Sequence, residues 1–510
     1  MKNRIFKIGL LASVLLAGCS ESLLDKVNPN GGTPESYYGT QDELTKGVNA
    51  VYSAMQSNSL VAREFFFLHD LRSDDAASGG GQLEGARNAI LIGSNDPANS
   101  VSTAVWQGYF IVVHRANSVI KGSENTLNIA DDVKARLVAE ARFLRAFAYA
   151  DLVSLWGGVP LYTEVVTSTA GGKPRATVAE VNQFIIDELS AIQADLPASY
   201  GSTDLGRVTV GAARALLGRV YMAANDYAKA KIELEKVYGK YALTAQYVDN
   251  FKEETGYNTE SIFEIGFFNS DVNWTGDGDI PSWGGVLEGN TRTQEYSSVG
   301  WRNVIPSDGL LAEFESTFKL DAKTDPRFAV SFIKHGDPTS SGTLDTATVQ
   351  GNKSNFEGVK QKISWRKYTS IYKTTATYYT GPMNMRLIRY AEVLLNLAEC
   401  ENEVGTPAKA ILYLNELRDR ASVAMPHYPT IAFPVTSKPE IFKAVVHERR
   451  VELGGEQIRN RDILRWRAQG KLTSEPIGFF QPNKFEYLPI PTNELATNLN
   501  ISQADQNPGY

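Results

Sequence analysis

The sequence predicts a mainly α-helical protein, a scaffold of tetratricopeptide-like helical pairs with an inserted loop-rich region containing a few short strands. Three observations carry this prediction. Apolar side chains recur at helical spacing over Val101 to Ile120 and again over Val133 to Trp156, through Leu137, Phe143, Leu144, Phe147 and Leu155. Two later stretches repeat one helix-turn-helix pattern at the same offsets. Between them, from Tyr241 to Met385, the helical period lapses into Gly-, Asn-, Asp- and Ser-rich chain.

The first helical signal begins near Gln41 and runs through Val51, Tyr52 and Met55, and the Gly- and Asn-rich passage from Ser73 to Ser100 reads as loops. Gly157-Gly158-Val159-Pro160 stops the long helix, because Gly relaxes the backbone and Pro lacks the amide that would continue it. In Val208 to Tyr238, Leu217, Gly218, Tyr221, Ala230 and Leu234 stand at tetratricopeptide spacings, with Asn225-Asp226-Tyr227 at the turn. Small Gly218 and Ala230 let two helices approach closely, and the larger residues fill the space around that contact. Leu397, Ala398, Ala410 and Leu414 repeat the offsets around Gly405-Thr406-Pro407, with Glu401 where the first unit has Tyr221. Units so far apart cannot form a simple solenoid, so a region must be inserted between them. Within it, Ser261 to Phe267 reads as a strand. Helices return after Met385, through Ala421 and from Ile441 to about Gln457, and Phe485 to Tyr510 is irregular and Pro-rich.

The amino terminus reads as an export signal. Lys2, Arg4 and Lys7 precede an apolar run from Ile8 to Ala17, shorter than the roughly 20 residues a spanning helix needs. Leu16-Ala17-Gly18-Cys19 resembles a bacterial lipobox, which would place lipid on Cys19 once residues 1–18 are removed; a second acyl chain would make that anchor firm. An ordinary export signal with a chance cysteine is the competing reading. The other cysteine, Cys400, lies in a helical stretch and reads as a small buried hydrophobe, so the fold rests on its core rather than on disulfides. The expected division is residues 1–18 signal, 19–40 tether, 41–240 helical scaffold, 241–385 inserted loop-rich portion, and 386–510 C-terminal helices with an irregular end.

The formal charge is −7, and loss of the leader with its three cations makes the chain more acidic. With no basic run interleaved with aromatics, nucleic acid is not an expected partner. The five histidines, His69, His114, His335, His427 and His447, are scattered, and no zinc-peptidase spacing, nucleophile elbow or phosphate loop appears. A pair of glycosidase carboxylates is set by spatial separation, which sequence spacing does not report. The expectation is a binding protein, not an enzyme, without a cofactor. Asp271 to Asp279 copies the front of an EF-hand calcium loop, but Ser282 stands where the bidentate Glu belongs, so the stretch reads as a turn-rich ligand loop rather than a metal site.

Several segments together resemble the SusD and RagB family of bacterial surface nutrient-binding lipoproteins. They are Glu140-Ala141-Arg142-Phe143-Leu144-Arg145-Ala146 running to Trp156-Gly157-Gly158-Val159-Pro160-Leu161, then Arg389 to Glu399, Leu414 to Ala421, Glu448-Arg449-Arg450-Val451-Glu452-Leu453, and the ending Leu488 to Leu495 with Gln506-Asn507-Pro508-Gly509-Tyr510. The chain departs from the family after Leu453, reading Gly454-Gly455-Glu456-Gln457-Ile458 where an acidic residue, small or polar residues and a large aromatic are common, yet it retains Trp466. The resemblance implies tetratricopeptide-like pairs with the ligand site in the loop-rich portion, a cell-surface place on the outer membrane, and a SusC-like TonB-dependent transporter as partner. Its ligands would be oligosaccharides or, less commonly, peptides. A structural lid without a ligand and a glycoside hydrolase are the alternative functions.

Sugar binding asks for aromatic faces with carboxylates, amides and guanidinium groups beside them. Trp274, Trp283, Tyr296 and Trp301, with Asp279, Asn290, Arg292 and Gln294 among them, form the candidate patch, joined by Asp74 and Arg87 from the early loop. For the early loop, a helix end followed by a turn is the competing reading. Glu140, Arg142 and Arg145, like Glu448, Arg449 and Arg450, read instead as interhelical ion pairs. A Cys19→Ala protein is expected to fold yet leave the membrane fraction for the soluble one, as fractionation would read.

Overall fold

The computed structural model describes residues 37–80, 83–268, 289–321, 325–340, 342–344, 363–373 and 381–510, with the backbone alone over 315–321. The leader with Cys19, the calcium-like stretch 271–282, and Trp274, Asp279 and Trp283 lie outside these residues.

The amino-terminal half is built of α1 (Gln41–Met55), α2 (Glu64–Leu71), β1 (Ala76–Ser78), α3 (Gly85–Leu91), α4 (Ser100–Ser123), α5 (Asp131–Trp156), the short pair β2 (Val159–Pro160) and β3 (Arg175–Ala176), α6 (Val178–Ala191), α7 (Val210–Ala223) and α8 (Tyr227–Glu235). Side chains set the helix starts. Thr40 closes a capping box with Glu43, Asn99 accepts from the amides of Val101 and Ser102, and Thr209 and Asp226 cap α7 and α8. Successive helices pack as neighbours: α1 and α5 on α4, α6 on α5, α7 on α6, α8 on α7. At the last contact, a Cβ on Gly218 would lie 2.6 Å from Leu234, so only glycine admits that approach. Ion pairs join the layers, with Arg142 and Arg145 reaching Glu188 at 2.7 and 2.5 Å.

Beyond β4 (Ser261–Ile265) the chain forms α9 (Arg292–Tyr296), β5 (Val304–Pro306), α10 (Asp308–Asp321), α11 (Arg327–Ser331), β6 (Phe332–Ile333), β7 (Pro338–Thr339), β8 (Gly342–Thr343) and β9 (Ser364–Trp365), and returns through β10 (Met385–Arg389). β4 and β10 pair antiparallel with Met385 opposite Ile265, so this stretch leaves and re-enters the scaffold through one ribbon. β5 pairs with β1, which binds the same stretch to the early segment. The helices α12 (Tyr390–Val404), α13 (Pro407–Arg418), α14 (Lys438–Leu453), α15 (Arg459–Ala468) and α16 (Thr492–Thr497) complete the chain. α12 packs on α8, so the two repeat units remote in sequence are neighbours in space.

The passage expected as loops between Ser73 and Ser100 contains β1 and α3. β1 is three residues long and extended only because β5 pairs with it, a signal absent from local sequence. α9, α10 and α11 likewise interrupt the region expected to be loop-rich.

The deepest polar feature gathers around α14. Arg327 donates to Glu448 at 2.8 Å and lies 2.8 Å from Asp325; Arg418 also meets Glu448, at 2.6 Å. Arg389 and Arg420 both reach Glu452 at 2.8 Å and Glu260 at 2.6 Å, while Arg389 and Lys367 hold Glu456 at 2.6 and 2.9 Å. Five cations thus face five carboxylates, all buried. Burial, which alone would raise the carboxylates, is outweighed by the guanidinium groups, so the pKa values of Glu260 and Glu448 fall well below the usual range and that of Glu452 is lowered as well. Burial pushes the Lys367 ammonium down to about 8.

Because these three folded-state pKa values are depressed, their stabilisation is full above the unfolded carboxylate pKa of about 4.3 and is lost as the pH falls toward the folded values. The melting temperature should therefore drop steeply below about pH 4. Glu452→Ala takes one counter-charge from each of Arg389, Arg420 and Arg327, leaves the buried cluster with excess positive charge, and should cost about 3–5 kcal/mol in denaturant unfolding.

Candidate ligand cleft

A cleft of about 630 Å³ opens at the outer end of the ribbon, where β4 runs on to Phe268 and where Pro382 and Asn384 lead into β10. Its other walls are Asn49 and Tyr52 of α1 with the adjoining Gln56, the loop from Thr203 to Arg207, and the loop from Glu253 to Tyr257.

Tyr257 is the residue the local structure is arranged to hold. Its φ of +55° lies in the left-handed region, unusual for an aromatic side chain. The Glu264 carboxylate accepts its amide at 2.6 Å and the Asn384 side-chain amide at 2.8 Å, fixing this turn against the ribbon. The phenol then needs glycines beside it. A Cβ on Gly266 would stand 2.1 Å from its oxygen, and one on Gly206 would stand 2.9 Å from its ring. Burial first, and then the charge of Glu264, raises the Tyr257 pKa, so it remains a neutral phenol.

The floor is tied down from the scaffold side. Tyr52 donates to Glu140 at 2.9 Å and accepts from the Val208 amide at 2.9 Å. Arg207 spreads its donors over Glu140, Asp204 and Asn49 at 3.0, 2.7 and 3.1 Å. Gln56 donates to the Gly266 carbonyl at 2.7 Å. On the rim, Tyr372 donates to Glu254 at 2.9 Å and Lys373 lies 3.0 Å from it; these bonds outweigh burial and lower the Glu254 pKa. Phe268 and Leu205 remain 60% and 49% exposed although apolar. The cleft thus offers aromatic and aliphatic surface flanked by amides and carboxylates, the combination that covers a sugar ring while taking its hydroxyls.

The sequence-derived candidates fall elsewhere. Arg292 and Tyr296 are fully buried and both bind Asp70 at 2.9 Å, with the guanidinium 3.4 Å above the tyrosine ring; they staple α9 to α2 and present no surface to a ligand. Asp74 accepts two bonds from Arg459 at 2.6 and 2.9 Å and lies 3.1 Å from Arg450. Arg87 is buried over Phe67 and pairs with Glu64 at 2.6 Å. All four are engaged inside the fold rather than at the cleft, Arg292, Asp74 and Arg87 by counter-charges and the Tyr296 phenol by its bond to Asp70, because a polar group removed from water needs a partner. Trp301 is half-buried, its amide on the Gln294 carbonyl, and does not line the cleft. Tyr52, Tyr257 and Phe268 went unrecognised in the sequence. Gly256-Tyr257-Asn258 and Gly266-Phe267-Phe268, aromatics set between turn residues beside a strand, were the available signals.

A family model described as "SusD family" matches residues 259–510, and one described as "Starch-binding associating with outer membrane" matches residues 24–222. The chain belongs to the SusD/RagB family. Among relatives in the family, SusD-like protein P2 of Formosa agariphila is 28% identical over 99% of both chains. A solved laminarin-binding SusD-like protein superposes with a TM-score of 0.76 at 24% identity, covering 93% of this chain and all of that one. Surface glycan-binding protein A from Bacteroides thetaiotaomicron, solved with laminarihexaose, gives 0.73 at 21% over 92% and 99% of the two chains. At such identities the SusD-type structures establish a shared fold. They match the mainly α architecture described above.

Gly266→Ala should displace the Tyr257 phenol and reduce ligand affinity about tenfold while melting within a few degrees of the parent, as titration and calorimetry would show.

Proposed function

We propose that the protein captures an oligosaccharide at the cell surface and delivers it to a TonB-dependent outer-membrane transporter. The observation that carries this reading is the open cleft with a strained, glycine-flanked Tyr257 beside exposed Phe268, since strain is retained where a side chain must be held ready. Two solved proteins of this fold are named for binding laminarin or hold laminarihexaose, which supports a glycan as the ligand.

Anchoring would come through lipid on Cys19. Among the described residues no helix is long and apolar enough to cross a membrane. A tethered site sees its transporter at high effective concentration, so modest affinity suffices. Capture without cleavage is the expected behaviour, and product analysis checks it.

The test is titration of the soluble form starting after Cys19 with neutral oligosaccharides, with product analysis alongside. The double variant Tyr257→Ala, Phe268→Ala is expected to lose about tenfold or more in affinity. Unchanged affinity, or release of shortened sugars, would reject this reading.

A further inference from the structure

The charges on the cleft point to a selection among glycans, an inference that rests on the capture reading above. Its lining holds Asp204, Glu253, Glu254 and Glu264 against one cation, Arg207. Exposure separates the signs further. The Asp204 and Glu254 side chains are 44% and 53% exposed, whereas Arg207 is 15% exposed and already engages Asp204 and Glu140.

The cations behind the lining are likewise committed. Arg386 is buried 3.2 Å from Glu264, with its other donors on the carbonyls of Asn250 and Thr255. Lys373 bridges Glu253 and Glu254. Among the described residues, then, each cation of this cleft is engaged by carboxylates or carbonyls, while two carboxylates reach solvent.

We infer that the cleft selects uncharged oligosaccharides and rejects uronate- or sulfate-bearing ones, with Asp204 and Glu254 as the residues that discriminate. A hydroxyl can donate to either carboxylate and accept from an amide such as Asn49. A carboxylate or sulfate ester cannot donate, meets no free guanidinium, and must give up water beside like charge. Rejection of this kind sets specificity by penalising the wrong ligand rather than by adding contacts to the right one.

The experiment titrates the soluble form starting after Cys19 with neutral hexaoses of glucose, mannose, xylose and galactose, and with hexamers of galacturonate and mannuronate. It is run at salt of about 0.01 M and about 1 M, where the Debye length is about 30 and 3 Å. At low salt the tightest uronate hexamer is expected to bind at least about tenfold more weakly than the tightest neutral one, with the gap narrowing at high salt. In the Asp204→Asn, Glu254→Gln variant, folding verified by circular dichroism, the ratio of uronate to neutral affinity should rise about tenfold. A uronate that binds the parent as tightly as the best neutral hexaose, or a ratio unmoved in the variant, overturns the selection while leaving capture intact. No binding by any hexamer, or binding indifferent to the Tyr257→Ala, Phe268→Ala change, rejects the capture reading and the selection with it.

Discussion

The balance of buried charge around α14 is the constraint on which the rest of the molecule depends. Glu448 and Glu452 stand one helical turn apart and face the same way, and each receives two or more guanidinium groups from elements remote in sequence. Arg327 and Lys367 come from the stretch between β4 and β10, Arg389 from the strand that ends it, and Arg418 and Arg420 from the end of α13 and just beyond. Such a network adds less net stability than its short distances suggest, because every member was desolvated to form it. Its consequence is uniqueness of arrangement. Any placement of the β4–β10 stretch that withdrew Arg327 or Lys367 would take a cation from Glu448, Glu452 or Glu456 and leave the buried cluster short of positive charge, and that cost disfavours alternatives.

The ribbon carries this order outward. Glu260 immediately precedes β4 and sits in the network, while Glu264, four residues on, holds Tyr257 and Asn384 at the cleft. In a strand, residues separated by an even number share a face, so one side of β4 passes from the buried charge cluster to the ligand surface. Gly206 and Gly266 leave room for the phenol, and Arg207 ties the neighbouring loop back to α5 through Glu140. The candidate site is therefore rigid at its base although it is assembled from loops.

Much of the scaffold was legible in the sequence because its information is local. The long helices follow from apolar spacing, and the observed α5 begins two residues before the expected start and ends at the expected Trp156. Gly218 and Ala230 marked a helix contact because few residues permit close approach. Arg142 and Arg145 proved to be interlayer ion pairs, as helical spacing implied. The candidate ligand residues were not legible in the same way. Arg292, Tyr296, Asp74 and Arg87 have the chemistry of a sugar site, and composition does not distinguish a guanidinium awaiting a ligand from one paired with Asp70, Glu64 or another carboxylate of the fold.

By itself the sequence determined helical class, the repeat units and the family, because each is written in spacing or in contiguous residues. Only the tertiary structure decided that α8 and α12 are neighbours, that β1 exists through pairing with β5, and that Tyr52, Tyr257 and Phe268 meet in one cleft. The physical reason is the same in each case. These properties depend on which surfaces lose water together, and that is settled by contacts between residues far apart in the chain.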